Sequence, residues 1–158
     1  MANFTVIHTS PKEIKEIRPN GLFGDCLFFA CNEYAVAAEV VAVYELQLDE
    51  NSVIDGDCLE FGGKAEQSAI EDLVEFAGGL IDKHEAFDLL CDRLNVWGND
   101  KFENTDTSTM TDISFEIQRL QGRIASEDGF DAFRTRDEQG TVFIVPMAGK
   151  LDRLQKVK

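Results

Sequence analysis

Apolar and polar positions along the chain change their rhythm twice. Near the N-terminus "NFTVI" (3–7) alternates with period two, as a half-buried strand does. The following "SPKEIKEIRPNG" (10–21) predicts a short helix, with Ser10 as N-cap, Pro11 at its first position, and Ile14 and Ile17 on one face. Gly21 and Gly24 mark a turn, and "CLFFA" (26–30) predicts a short buried strand. "NEYAVAA" (32–38) predicts another helix, and "VVAVYELQL" (40–48) is the clearest strand pattern in the chain.

The middle of the chain turns helical. Ser68 and Glu71 have capping-box spacing, and Ile70, Leu73, Val74 and Ala77 form one apolar stripe that Gly78 stops. A second helix places Phe87, Leu90, Cys91 and Leu94 on one face. "GNDKFENTDTSTMTD" (98–112) is polar and without period, which predicts a mobile surface loop. A third helix, "ISFEIQRLQGRIA" (113–125), carries Ile113, Ile117, Leu120 and Ile124 at helical spacing. After Gly129 come two strands, "FDAFRT" (130–135) and "TVFIVP" (141–146), joined by "RDEQG". Strands, then helices, then strands predict an α+β fold rather than a doubly wound sheet.

Composition adds limits. A chain of 158 residues, 44% apolar, predicts one domain over 1–158 that buries a core without disulfides or a structural metal. A formal net charge of -15 opposes general affinity for nucleic acid or anionic membrane and leaves a basic partner or mimicry of DNA open. The N-terminus shows no basic stretch followed by an apolar run, and the most apolar segment is interrupted by Glu39 and Glu45, so a cytoplasmic protein is expected. Cys26, Cys31, Cys58 and Cys91 form no C-x-x-C pair and His84 has no partner at metal spacing, which predicts reduced, mostly buried thiols and no zinc site. Dinucleotide-binding, P-loop and nucleophile-elbow motifs are not found. Thirty acidic residues supply any pair of carboxylates, so a glycosidase pair cannot be read from counting.

Three stretches occur in a telling order: "HTS" (8–10) at the end of the first strand, "GLFGDCLFFA" (21–30), and "RDEQGTVFIV" (136–145). With them the chain resembles an ADP-ribosyltransferase of the diphtheria-toxin-like type. It is most similar to the phage-encoded type I-F anti-CRISPR ADP-ribosyltransferases, through residues 8–24 and 113–149; residues 50–110 match less clearly. The resemblance implies a split, half-barrel-like sheet that holds NAD, the substrate, in a cleft. It implies that His8 hydrogen-bonds a ribose hydroxyl of NAD, that the main chain of Thr9 pins the nicotinamide carboxamide with Ser10 close by, and that Phe28 stacks on the nicotinamide ring. Phe29 is the adjacent candidate, since only one of the two need line a pocket. Asp137 is the implied motif acid, with Glu138 as its neighbour; in an extended segment only one of them faces the cleft. The wider family usually carries Tyr at the position of Phe28 and Glu at that of Asp137, whereas the anti-CRISPR subfamily carries Asp.

These residue types suit the chemistry. Breaking the nicotinamide–ribose bond builds positive charge on the ribose, as glycoside cleavage does, and a carboxylate beside it stabilises that charge. Histidine at a strand end can donate to a ribose hydroxyl without carrying a full charge. The resemblance further implies mono-ADP-ribosylation of a protein side chain in the host bacterial cytoplasm, on the large subunit of the type I-F CRISPR surveillance complex that recognises the DNA motif. Two other readings stand beside it: a stoichiometric acidic mimic of DNA that needs no NAD, and a transferase acting on some other host protein.

Overall fold

The computed structural model describes residues 3–10, 13–17, 25–31, 42–97, 99–137 and 140–157. Within them, β1 (Asn3–Ser10), β2 (Cys26–Ala30), β3 (Ala42–Asp49), β4 (Val53–Asp55), β5 (Ala132–Asp137), β6 (Gly140–Pro146) and β7 (Gln155–Lys156) form one sheet in the order β4-β5-β6-β2-β1-β3-β7. The sheet is open at both edges, and every neighbouring pair is antiparallel except β4 with β5. Strands β1 and β3 pair along all eight residues, while among the described residues β1 meets β2 in register at Ile7 and Ala30. Among the described residues this junction of β1 with β2 is the seam of the open sheet.

Helices α1 (Lys64–Phe76), α2 (Lys83–Leu90) and α3 (Thr107–Glu127) lie between the two groups of strands in the chain, and the fold is α+β. Period-two alternation sorts the sheet residues to two faces. Phe133 and Ile144 face the helices and pack with Ile70, Leu73, Leu90 and the α3 stripe Ile113, Ile117, Leu120 and Ile124. Val6, Phe29, Leu46, Leu48, Phe143 and Val145 form a second core on the opposite face, closed in part by Ile17, Met147 and Leu154. Helix α3 comes close to the sheet because residue 122 is glycine: a Cβ there would stand 2.6 Å from Cys26 Sγ and 3.0 Å from Ile144 Cγ2.

Several local expectations give way. Ser10 is not a helix cap but the last residue of β1, paired with Ala42, and residues 13–17 are not helical. Strand pairing takes Ser10, the Ile14 N–H donates to the Tyr44 hydroxyl at 2.7 Å, and Ile17 packs on the second core. Ser68 lies inside α1, whose N-cap is Gly63. The capping box belongs to α2 instead, where Asp82 accepts from Glu85 N at 2.8 Å and Glu85 accepts from Asp82 N at 3.0 Å. That helix stops at Leu90, so Leu94 lies beyond it while still packing on the helical core. The polar segment 98–112 is no simple loop: Phe102, in a short 3-10 turn, is 1% exposed, and α3 already starts at Thr107 with Asp106 as its cap. The expected helix over 32–38 lies outside the described residues. All four cysteines are free, but Cys31 and Cys58 are exposed because they sit just past β2 and in a 3-10 turn; Cys91 alone is fully buried.

Charge is divided unevenly. Residues 50–128, which include α1, α2 and α3, hold nineteen acidic and six basic residues, a net of -13 out of -15.

Candidate active site

His8 is half-buried on the sheet face turned away from the helices, the face of Val6 and Phe29. Its Nδ1 lies 2.7 Å from the carbonyl oxygen of Phe28. A carbonyl only accepts, so Nδ1 carries the proton and Nε2 is the acceptor of the neutral ring. Burial holds the imidazole pKa below its usual value, against the opposing pull of the Phe28 carbonyl. A neutral ring with this tautomer leaves Nε2 as a hydrogen-bond acceptor.

The aromatic surroundings of His8 come from two strands. The Phe29 ring centroid is 5.5 Å away at 51°, on the same face. Phe28 points the other way, toward the helical core, and offers His8 its carbonyl. Tyr44 stands opposite His8 in the β1–β3 register and is buried. Thr9 and Ser10 pair with Val43 and Ala42, so the three residues of the "HTS" stretch are held in line by β3.

A cavity of about 700 Å³ lies over the β4–β5–β6 end of the sheet. Phe4 and Phe143 form an apolar wall, with ring centroids 5.3 Å apart. Arg134 lines it while donating to Glu50 at 3.2 Å and Asp55 at 2.9 Å, and that guanidinium holds the Asp55 carboxyl below its usual range. Asp92, also on the wall, accepts from Thr135 at 2.6 Å and from Gln121 at 3.2 Å, while burial pushes its pKa up. Arg136 and Thr141, paired across β5 and β6, complete the rim toward the strand ends. The cavity adjoins the His8 surroundings through one row of the sheet, Arg134 beside Phe143 beside Phe29.

Asp137 closes β5, paired with Gly140, one residue beyond Arg136 of the cavity rim. Three strand spacings separate β5 from β1, roughly 14 Å across a flat sheet. His8 and Phe29 are thus brought together, Phe28 gives His8 its carbonyl while its ring packs toward the helices, and Asp137 stands one residue beyond the cavity rim. Glu138 lies outside the described residues. Tyr44, Asp92 and Arg134 were not singled out from the sequence, because their place follows from pairing between distant segments and no local pattern marks it.

A crystal structure of an anti-CRISPR protein shares this fold, with a TM-score of 0.56 and 22% identity, covering 98% of this chain and 96% of that one. No curated protein sequence matches the chain. The family described as anti-CRISPR type I-F ADP-ribosyltransferase AcrIF11 matches residues 14–152, a span that starts after the "HTS" stretch and takes in the three described helices, the cavity residues other than Phe4 and both strands of the β5–β6 hairpin. The chain belongs to this family of NAD-dependent ADP-ribosyltransferases.

Proposed function

We propose that the chain transfers ADP-ribose from NAD to a side chain on the large subunit of a type I-F CRISPR surveillance complex, the subunit that recognises the short DNA motif beside the target. The family match over residues 14–152 carries this reading. Cleavage of the nicotinamide–ribose bond places positive charge on the ribose. In the proposed site the carboxylate of Asp137, or of Glu138 beside it, faces that charge and orients the acceptor. Neutral His8 accepts from a ribose hydroxyl through Nε2, and its hydrogen bond to Phe28 fixes the ring for the task. Phe29 packs beside that ring, and the Thr9 main chain with Ser10 holds the carboxamide end. The attached ADP-ribose adds bulk and negative charge where DNA phosphates dock, which opposes DNA binding. The host cytoplasm is where such a target is met.

The test is intact-mass measurement of the surveillance complex after incubation with this protein at about a tenth of its concentration, with and without NAD. One ADP-ribose on one subunit, with NAD only, supports the proposal. The concentration of net charge in residues 50–128 favours one alternative, a stoichiometric mimic of DNA. That alternative gives no mass change, one-to-one inhibition without NAD, and a block that weakens with salt.

A further inference from the structure

Helix α2 ends in a motif whose key position ordinarily belongs to glycine. The N–H of Asp92 donates to Leu89 O at 3.2 Å and that of Arg93 to Asp88 O at 2.9 Å, the two bonds of a Schellman stop. The stop requires left-handed backbone at residue 92, and Asp92 adopts it with φ 61°, alone in this among the described non-glycine residues. Helix α1 meets the same need in the relaxed way, with Gly78 at φ 66°. An aspartate here is strained where glycine would not be.

Its carboxylate supplies what glycine lacks. One oxygen accepts from the Thr135 hydroxyl at 2.6 Å and the other from Gln121 Nε2 at 3.2 Å. Gln121, itself fully buried, also donates to the Leu90 carbonyl at 3.0 Å and so caps the last turn of α2. One side chain therefore ties the end of α2 to α3 and to β5. Thr135 stands between Arg134 and Arg136, both on the cavity wall, and two residues before Asp137. Asp92 lines the same wall.

We infer that Asp92 is a positioning residue for the transfer reaction: through Thr135 it fixes the end of β5, and with it the cavity arginines and the acid that follows them. The inference rests on the proposed reading that this acid serves the transfer. A helix stop is the plain alternative, and Asp92→Gly separates the two, since glycine keeps the stop, relieves the backbone and removes the carboxylate.

The experiment compares wild type, Asp92→Gly and Asp92→Asn in melting temperature, steady-state transfer and amide hydrogen exchange. For Asp92→Gly the expected result is an equal or higher melting temperature, kcat lower by roughly tenfold or more, and KM for NAD within about twofold. Amides of residues 134–137 exchange faster while those of α2 do not. Asp92→Asn, which tolerates left-handed backbone and keeps one acceptor oxygen, recovers part of kcat. Wild-type kcat and unchanged β5 exchange in Asp92→Gly overturn the inference and leave Asp92 a helix stop. So does a kcat that falls only as the folded fraction falls. A wild type that transfers nothing from NAD sinks the functional reading instead, and the exchange comparison still decides whether Asp92 orders β5.

Discussion

His8 of β1 donates from Nδ1 to the main-chain carbonyl of Phe28 in β2, 2.7 Å away, across the seam that Ile7 and Ala30 pair over. The side chain thus supplements the backbone pairing of β1 with β2, and the same bond fixes which nitrogen is left for a ligand. His8→Ala removes both. Loss of one hydrogen bond of this kind is expected to raise the Kd for NAD by roughly twofold to tenfold, read by calorimetry. An unchanged Kd with a lowered melting temperature would make His8 a clasp on the seam and nothing more.

Asp137 ends β5 where β6 begins to fold back at Gly140. Asp137→Ala is expected to abolish ADP-ribose transfer, with a melting temperature near that of wild type. Intact mass of the target and a circular-dichroism melt check the two halves of this statement. Full activity in Asp137→Ala together with loss in Glu138→Ala would move the acid's role by one residue.

Glu66 lies in the first turn of α1 and is 5% exposed. Burial first, then the carboxyl of Asp128 beside it, raises its pKa from 4.5 to about 7. Between those values the folded chain keeps a proton that the unfolded chain releases, so this group makes stability fall as pH rises through that window. Glu66→Gln has no charge to bury at any pH and is expected to flatten the slope of melting temperature against pH there. Parallel slopes in the two proteins would assign the pH dependence to other groups.

Gly122 sets how closely α3 approaches the sheet. Gly122→Ala forces a methyl against Cys26 Sγ and Ile144 Cγ2, at 2.6 and 3.0 Å. Overpacking of this kind costs about 1–3 kcal/mol, which chemical denaturation measures as a lower midpoint. A stability equal to wild type would show that the helix shifts freely over β2 and β6.

What the sequence made legible is what local periodicity records. The strand Cys26–Ala30, the hairpin of β5 and β6, and the α3 stripe from Ile113 to Ile124 follow from spacing alone. Three-residue β4 and two-residue β7 are too short to carry a period. Residues 13–17 have helical spacing but are held by Tyr44, thirty residues away along the chain. The site divides in the same manner. The "HTS" and "RDEQG" stretches stand in the sequence as local motifs, whereas the bond from Thr135 to Asp92 joins residues forty-three apart and leaves no local trace. That Phe28 packs toward the helices and Phe29 on the other face required knowing which face of the sheet the helices cover.

The uneven division of charge gives the molecule a compass. Half the chain, with the helices and the acidic part of the cavity rim, carries -13, and the remainder only -2. A cationic macromolecule is drawn toward this segment before any contact forms, while a diphosphate is repelled by it. At physiological ionic strength this turning acts over about 8 Å. Added salt therefore slows encounter with a basic protein far more than it shortens the life of a complex already formed.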